Sequence, residues 1–189
     1  MAEPGVKVLI VDRDGVINRD SDAFIRSPEE WVPIPGSVEA LAEASRRGWR
    51  VGVATNQSGL ARGLLDEPTL AAIHRRMVRA VEANGGRIDA IVYCPHGPDD
   101  GCTCRKPEPG LLHELARRFH VELEGVPVIG DSVRDLEAAQ RAGAQPILVR
   151  TGKGGTAAAS RERPGAPVFE DLAAAVRALL KRSEGERAP

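Results

Sequence analysis

The chain has 189 residues, with 26 Lys and Arg against 27 Asp and Glu for a net charge of −1. That length suits one α/β domain with a sizeable core, and the balanced charge argues against a nucleic-acid surface or an acidic solvating tail. No apolar run approaches the roughly 20 residues of a membrane-spanning helix, residues 1–7 hold no apolar leader core, and aromatics make up only 3%.

Val8-Leu9-Ile10-Val11 reads as a buried strand that delivers Asp12 and Asp14 to its C-terminal end, the edge where open α/β sheets bind ligands. Residues 18–35, with Pro28, Pro33 and Pro35, form a long irregular stretch placed to reach over that edge. A helix is expected from Ser37, as N-cap, to Arg47, with Gly48 ending it. A second strand over 50–54 delivers Thr55, Asn56, Gln57, Ser58 and Gly59. The next helix opens near Asp66 with Pro68 in its first turn and carries Leu70, Ile73, Met77, Val78 and Val81 on its core face. A third strand over 89–93 leads into the segment 94–106, and Pro109 starts a helix with Leu111, Leu112, Leu115 and Phe119. A fourth strand over 126–130 ends in Asp131-Ser132 and a helix to Gly143; 146–149 is a fifth strand. Residues 150–165 read as a Gly/Ala/Ser-rich loop, 168–169 as a short sixth strand, and the last helix docks through Leu172, Ala175, Val176, Leu179 and Leu180. Alternating strands and helices imply a doubly wound, mostly parallel sheet. One domain is expected over 1–183, with a frayed tail over 184–189.

The chemistry collects on one edge of that sheet. Asp12, Asp14, Thr55, Asn56 and Asp131 follow successive strands, and Arg105-Lys106 lies in the connection after the third. Carboxylates, a hydroxyl and two cations without histidine or thiol suit a hard cation such as Mg²⁺ together with a phosphate. Singly, Asp131 could be a helix cap and Lys106 a surface lysine; their joint placement carries the reading. Asp135 is open between a place near the metal and a plain helix face. The glycines around Lys153 do not form a P-loop, and a receiver domain would carry its phosphoacceptor on the third strand, which here ends in Tyr93-Cys94.

All three cysteines and one of four histidines fall between Cys94 and Cys104. Cys94, His96, Cys102 and Cys104 offer three thiolates and an imidazole, a closed tetrahedral set for structural Zn²⁺. An odd, clustered cysteine count argues against a disulfide framework and for a reducing compartment, so cytoplasm is expected. His74, His113 and His120 lack such company and read as ordinary helix or loop histidines.

The set Asp12-x-Asp14-Gly15, Thr55-Asn56, Lys106 and Gly130-Asp131-x-x-x-Asp135 resembles the four motifs of the haloacid-dehalogenase-like phosphatases, in order and over nearly the whole chain. The segments 55–63, 93–96 and 102–107 are similar to the branch containing heptose-bisphosphate and histidinol-phosphate phosphatases. The resemblance implies a Rossmann-like fold without a large cap domain, its place taken by a zinc-stabilised loop. It further implies Asp12 as nucleophile and Asp14 as acid/base, with Mg²⁺ held by Asp12, the Asp14 main-chain carbonyl and Asp131. Thr55, Asn56, Gln57, Ser58, Arg105 and Lys106 become phosphate or substrate residues. The two aspartates then need different protonation states, and Asp14 is expected to be the one whose pKa rises. The implied substrate is a small sugar bisphosphate, a heptose 1,7-bisphosphate losing its C7 phosphate in lipopolysaccharide-core synthesis, with histidinol phosphate as the alternative. Neither nucleic acid nor membrane is an expected partner, and a monomer is the expected state. Ser132 departs from the branch, which often has lysine there.

Overall fold

The computed structural model describes residues 6–160 and 165–185. Its sheet holds six parallel strands, β1 (Val8–Val11), β2 (Arg50–Asn56), β3 (Ala90–Cys94), β4 (Pro127–Gly130), β5 (Gln145–Val149) and β6 (Val168–Phe169). The strand order is β3-β2-β1-β4-β5-β6. The chain winds outward from β1 in one direction, then returns to β4 and winds the other way. The crevice beyond the ends of β1 and β4 is therefore the topological switch point, where such sheets bind ligands.

Helices α1 (Ser37–Arg46), α2 (Glu67–Ala83), α3 (Gly110–Phe119), α4 (Val133–Arg141), α5 (Gly154–Ala159) and α6 (Leu172–Gly185) surround the sheet. Side chains alternate across a strand, so β1 feeds two cores at once. Leu9 and Val11 join Val51, Val53 and residues of α1, α2 and α6, among them Leu41, Ile73 and Leu172. Val8 and Ile10 join Ala54, Val128 and residues of α3 and α4, among them Leu112 and Ala138. Burial on both faces explains why β1 is an unbroken apolar run rather than an alternating one.

Several boundaries differ from the sequence reading. Ser37 does not cap α1: Gly36 takes the N-cap with φ 81°, and the Ser37 hydroxyl donates to the Ile17 carbonyl at 2.6 Å. Asp66 does cap α2, accepting from the Thr69 N–H at 2.8 Å. The stretch 150–165 is not all loop, because α5 forms inside it. Gly154 permits this, since a Cβ there would lie 1.6 Å from the Val149 carbonyl oxygen. Helix α6 runs through Gly185, so the first residues of the expected tail are helical. Residues 186–189, 1–5 and 161–164 lie outside the described residues.

Candidate active site

The end of β1 is tied to β4 by the Asp12 N–H, which donates to the Ile129 carbonyl at 2.9 Å. The chain then turns: the N–H groups of Val16, Ile17 and Asn18 all point at the Arg13 carbonyl. Gly15, at φ 79°, lets this turn press on Asp131, and a Cβ there would lie 2.0 Å from Asp131 Oδ2. Gly152 presses from the other side, at 2.1 Å by the same measure. The Lys153 N–H then donates to that same oxygen at 2.8 Å. Two glycines and a main-chain donor thus fix a carboxylate that is almost fully buried.

Lys106 lies at the centre of the acidic group. Its Nζ is 3.1 Å from Asp12 Oδ1 and 2.5 Å from Asp135 Oδ1, and it donates to the Ala54 carbonyl at 2.9 Å. Three acceptors match its three N–H donors. Burial disfavours its charge, but Asp12 and Asp135 outweigh that and raise its pKa. Asp135 resolves into a definite role: its Oδ2 accepts from the Ser132 N–H at 3.0 Å and the Ser132 hydroxyl at 2.5 Å. Ser132 is thereby the N-cap of α4, and Asp135 links that cap to Lys106.

Asp14 has a different environment. Its Oδ1 accepts from Arg13 Nε at 3.1 Å and Asn18 Nδ2 at 2.8 Å; its Oδ2 accepts from Arg13 Nη2 and Gln57 Nε2, each at 2.9 Å. Asn18 is itself held by Trp31, whose indole N–H donates to its Oδ1 at 3.0 Å. Burial pushes the Asp14 pKa up, but the Arg13 guanidinium and the amide donors more than reverse it, so it lies below the usual value. Asp12 is pushed up to about 7, chiefly by burial, with Asp135 and Asp14 adding to it and Lys106 opposing. Asp131 is pushed up to about 8 by burial and by its acidic neighbours. The protein's own groups therefore order Asp12 and Asp14 oppositely to the expectation. The reason is Arg13, whose fork closes on the adjacent carboxylate.

Thr55 is buried and its Oγ1 accepts from Gln57 Nε2 at 2.8 Å. Asn56 spends its carboxamide on the Lys106 backbone, donating to the carbonyl and accepting from the N–H, both at 3.1 Å. It positions Lys106 across 50 residues of chain. Thr55, Asn56, Gln57, Ser58, Arg105 and Lys106 all line one cleft of about 240 Å³ with Asp12, Asp14 and Asp131. The proline-bearing stretch does reach over it, contributing Asp20, Ser21, Asp22, Phe24 and Ile25. Arg134 and Lys153, not singled out in the sequence, also line it, and Lys153 Nζ pairs with Asp20 at 3.1 Å.

Beside the cleft, the four sulfur and nitrogen donors converge. Cys94 Sγ lies 3.2 Å from Cys104 Sγ and 3.7 Å from Cys102 Sγ, and Cys104 lies 3.6 Å from Cys102. His96 Nδ1 is 3.3 Å from Cys104 Sγ and 3.5 Å from Cys94 Sγ. A disulfide needs about 2.05 Å, so these are not bonded sulfurs. A tetrahedral zinc with bonds of about 2.3 Å to sulfur and 2.0 Å to nitrogen has edges of about 3.5–3.8 Å, close to the set seen. Burial pushes the Cys94 thiol up to about 12, a cost that a bound cation would relieve. Asp12, Asp131 and Asp135 likewise bring oxygens within 4.8 Å of one another. With Asp135 committed to Lys106 and Ser132, Asp12 and Asp131 are the pair that fits a hard cation.

Two buried groups escaped the sequence reading. Arg13, 1% exposed, has no role assigned from the sequence, and His74 reads as an ordinary helix or loop histidine. Yet Arg13 Nη1 lies 3.3 Å from His74 Nε2, and Arg13 Nη2 donates to Gln57 Oε1 at 3.2 Å. Helical spacing could have found His74, which stands four residues after Leu70 and three before Met77, both buried.

A parallel sheet with paired aspartates after β1, a lysine and an aspartate after β4 defines a haloacid-dehalogenase-like hydrolase. A family model described as HAD-hydrolase-like matches residues 103–175. The chain is 55% identical over 179 residues to D-glycero-beta-D-manno-heptose-1,7-bisphosphate 7-phosphatase of Bordetella bronchiseptica, covering 94% of this chain and 100% of that one. Its counterpart from Pseudomonas putida is 55% identical over 175 residues, covering 93% and 100%. The crystal structure of the B. bronchiseptica D,D-heptose 1,7-bisphosphate phosphatase complexed with magnesium and phosphate matches at TM-score 0.92 and 56% identity, over 94% of this chain and 99% of that one. This chain belongs to the D-glycero-beta-D-manno-heptose-1,7-bisphosphate 7-phosphatase family. Among the described residues, no helix is long and apolar enough to cross a membrane.

Proposed function

We propose that the chain is a magnesium-dependent phosphatase that removes the C7 phosphate of D-glycero-β-D-manno-heptose 1,7-bisphosphate, serving lipopolysaccharide-core synthesis. The observation that carries the reading is 55% identity over the full length of a named relative, on a chain whose cleft assembles the whole motif set. Asp12 attacks phosphorus in line and becomes an aspartyl-phosphate. Asp14, ionised in the free protein, takes up the proton of the bound monoanionic phosphate ester, gives it to the departing C7 oxygen, then takes one from the water that cleaves the intermediate. Bound Mg²⁺, held by Asp12, Asp131 and the Asp14 carbonyl, supplies the positive charge that keeps Asp12 ionised and offsets phosphoryl charge. Lys106 supplies a second fixed charge at Asp12, and Thr55, Ser58 and Arg105 face the substrate oxygens. Asn56 serves by holding Lys106, and Gln57 by holding Asp14.

Zinc in the Cys94–His96–Cys102–Cys104 set orders the loop that ends in Arg105 and Lys106 and takes the place of a cap. The active form is a single domain over 1–183, a monomer, working in the cytoplasm. The test is phosphate release with Mg²⁺ from both anomers of the bisphosphate, histidinol phosphate and sugar monophosphates, with the product identified by NMR. Heptose 1-phosphate from the β anomer is the expected product. A preference for histidinol phosphate overturns the substrate and leaves the reaction class; no phosphate release from any of them overturns both.

A further inference from the structure

We infer that His74 is a positioning residue for the reaction, holding Arg13 so that Arg13 holds the Asp14 carboxylate at the cleft. The inference rests on the reading of Asp14 as acid/base. Arg13 is a buried guanidinium, and a buried cation needs partners around its whole fork. Nε and Nη2 are engaged by Asp14 and Gln57, and the Nη1 arm meets His74 Nε2 at 3.3 Å. Arginine can only donate, so Nε2 must be the acceptor and the ring must be the neutral tautomer with its proton on Nδ1. The site enforces that state: burial first, then the Arg13 charge, hold the His74 pKa down at about 4, against a smaller upward pull from Asp14.

The imidazole is also held by packing. It is carried on α2, whose Ile73 and Met77 are fully buried, and its ring packs 6.0 Å from that of Tyr93 at 58°. A rigid acceptor at Nη1 sets the plane of the guanidinium, and that plane sets Asp14, because two of the four donors on its carboxylate belong to Arg13. Gln57 closes the arrangement, accepting from Arg13 and donating to both Asp14 and Thr55. Removing the acceptor leaves a buried N–H without a partner and frees the guanidinium to turn toward other acceptors. Asp14 would then lose orientation while the substrate-binding face stays in place.

The experiment compares His74→Leu, which fills the space without an acceptor, with His74→Gln, which keeps one. Steady-state kinetics on the heptose bisphosphate and thermal melts are measured for both. His74→Leu should lower kcat about tenfold with KM within about twofold, and His74→Gln should recover most of the loss. An aryl phosphate whose leaving group needs no proton should show a first-turnover burst changed by less than about twofold in His74→Leu. Wild-type kcat in a folded His74→Leu protein overturns the inference, as does an equal loss in both variants or a loss carried by KM. If His74→Leu does not fold, His74→Met is read in the same way. Full activity in Asp14→Asn overturns the acid/base reading itself, a result distinct from any of these.

Discussion

Cys104 and Lys106 are two residues apart, yet the sulfur cluster and the oxygen cluster that they belong to are ordered by opposite means. The aspartates sit at the ends of fully buried strands, and their positions are set by main chain: Asp12 through β4, Asp131 between Gly15 and Gly152. The thiols and imidazole sit on a connection, with only Cys94 inside the sheet and Cys102 and Cys104 half-buried on the core behind it. The first cluster exists before any ligand arrives and stores repulsion between carboxylates. The second converges without a buried strand beneath most of it, and a metal is what its chemistry calls for. Under the proposed reading, packing preorganises the aspartates and a metal clip would order the loop that ends in Arg105 and Lys106.

The strongest way to break this contrast is Asp12→Asn. It should lower turnover by about 10⁴-fold or more while the protein stays folded, since the side chain contributes chemistry and repulsion but little packing. A folded variant with near wild-type phosphate release would remove the covalent mechanism. Lys106→Met follows. It leaves Asp12 and Asp135 buried without the cation between them, so the Mg²⁺-free protein should lose about 3–5 kcal/mol in urea melts at neutral pH. The loss should shrink as pH falls toward the raised wild-type Asp12 value of about 7 and level off below it, because without the opposing Lys106 charge the variant's Asp12 is protonated already above that value and a protonated Asp12 no longer needs the partner. A pH-independent loss would show that Lys106 acts by packing alone.

The sulfur cluster is tested by a chelator or by Cys104→Ser. Loosening the loop should cost about 10–100-fold in kcat/KM, through Arg105 and Lys106, while the sheet still melts cooperatively. Unchanged kinetics in zinc-free protein would detach the clip from the cleft. The Arg105 guanidinium, which donates to the His96 carbonyl at 3.2 Å, is the side chain most directly coupled to it.

What could be read from the sequence divides along the same line. The strands were legible because β1 is apolar at every position, and the aspartates because their spacing and order follow the strand ends. The thiol set was legible because its four donors lie within eleven residues of chain. Contacts between distant segments were not. Nothing local says that Asn56 will pin the Lys106 backbone, or that Asp135 will join the α4 cap to Lys106. Arg13 was read past because its partner His74 is 61 residues away. The expected order of the aspartate pKa values assumes Mg²⁺ on Asp12; among the protein's own groups burial raises Asp12, but in Asp14 it is outweighed by the Arg13 guanidinium, which nothing local in the sequence places there. Helix ends were misplaced where glycine replaced the expected cap, as at Gly36, since backbone conformation there is set by the turn and not by the side chain.

The smallest effect, and the finest test of how deep the packed order reaches, is the acid response of His74. Its folded pKa, about 4, lies below the reference 6.5. Between those values the unfolded chain binds a proton that the folded protein excludes, so the contribution is fully present above about pH 6.5 and is lost as pH falls toward 4. His74→Gln has no such proton to exclude. Whatever its stability at pH 7.5, it should gain on the wild type by about 1–2 kcal/mol between pH 6.5 and 4.5. Asp12 and Asp131 also titrate near this window, with the opposite sign, but they are present in both proteins and cancel in the difference. The measurement is the Tm difference between variant and wild type, followed across that pH range without Mg²⁺. Parallel curves would mean that the imidazole charges freely in place, and that the Arg13 fork does not require a neutral acceptor.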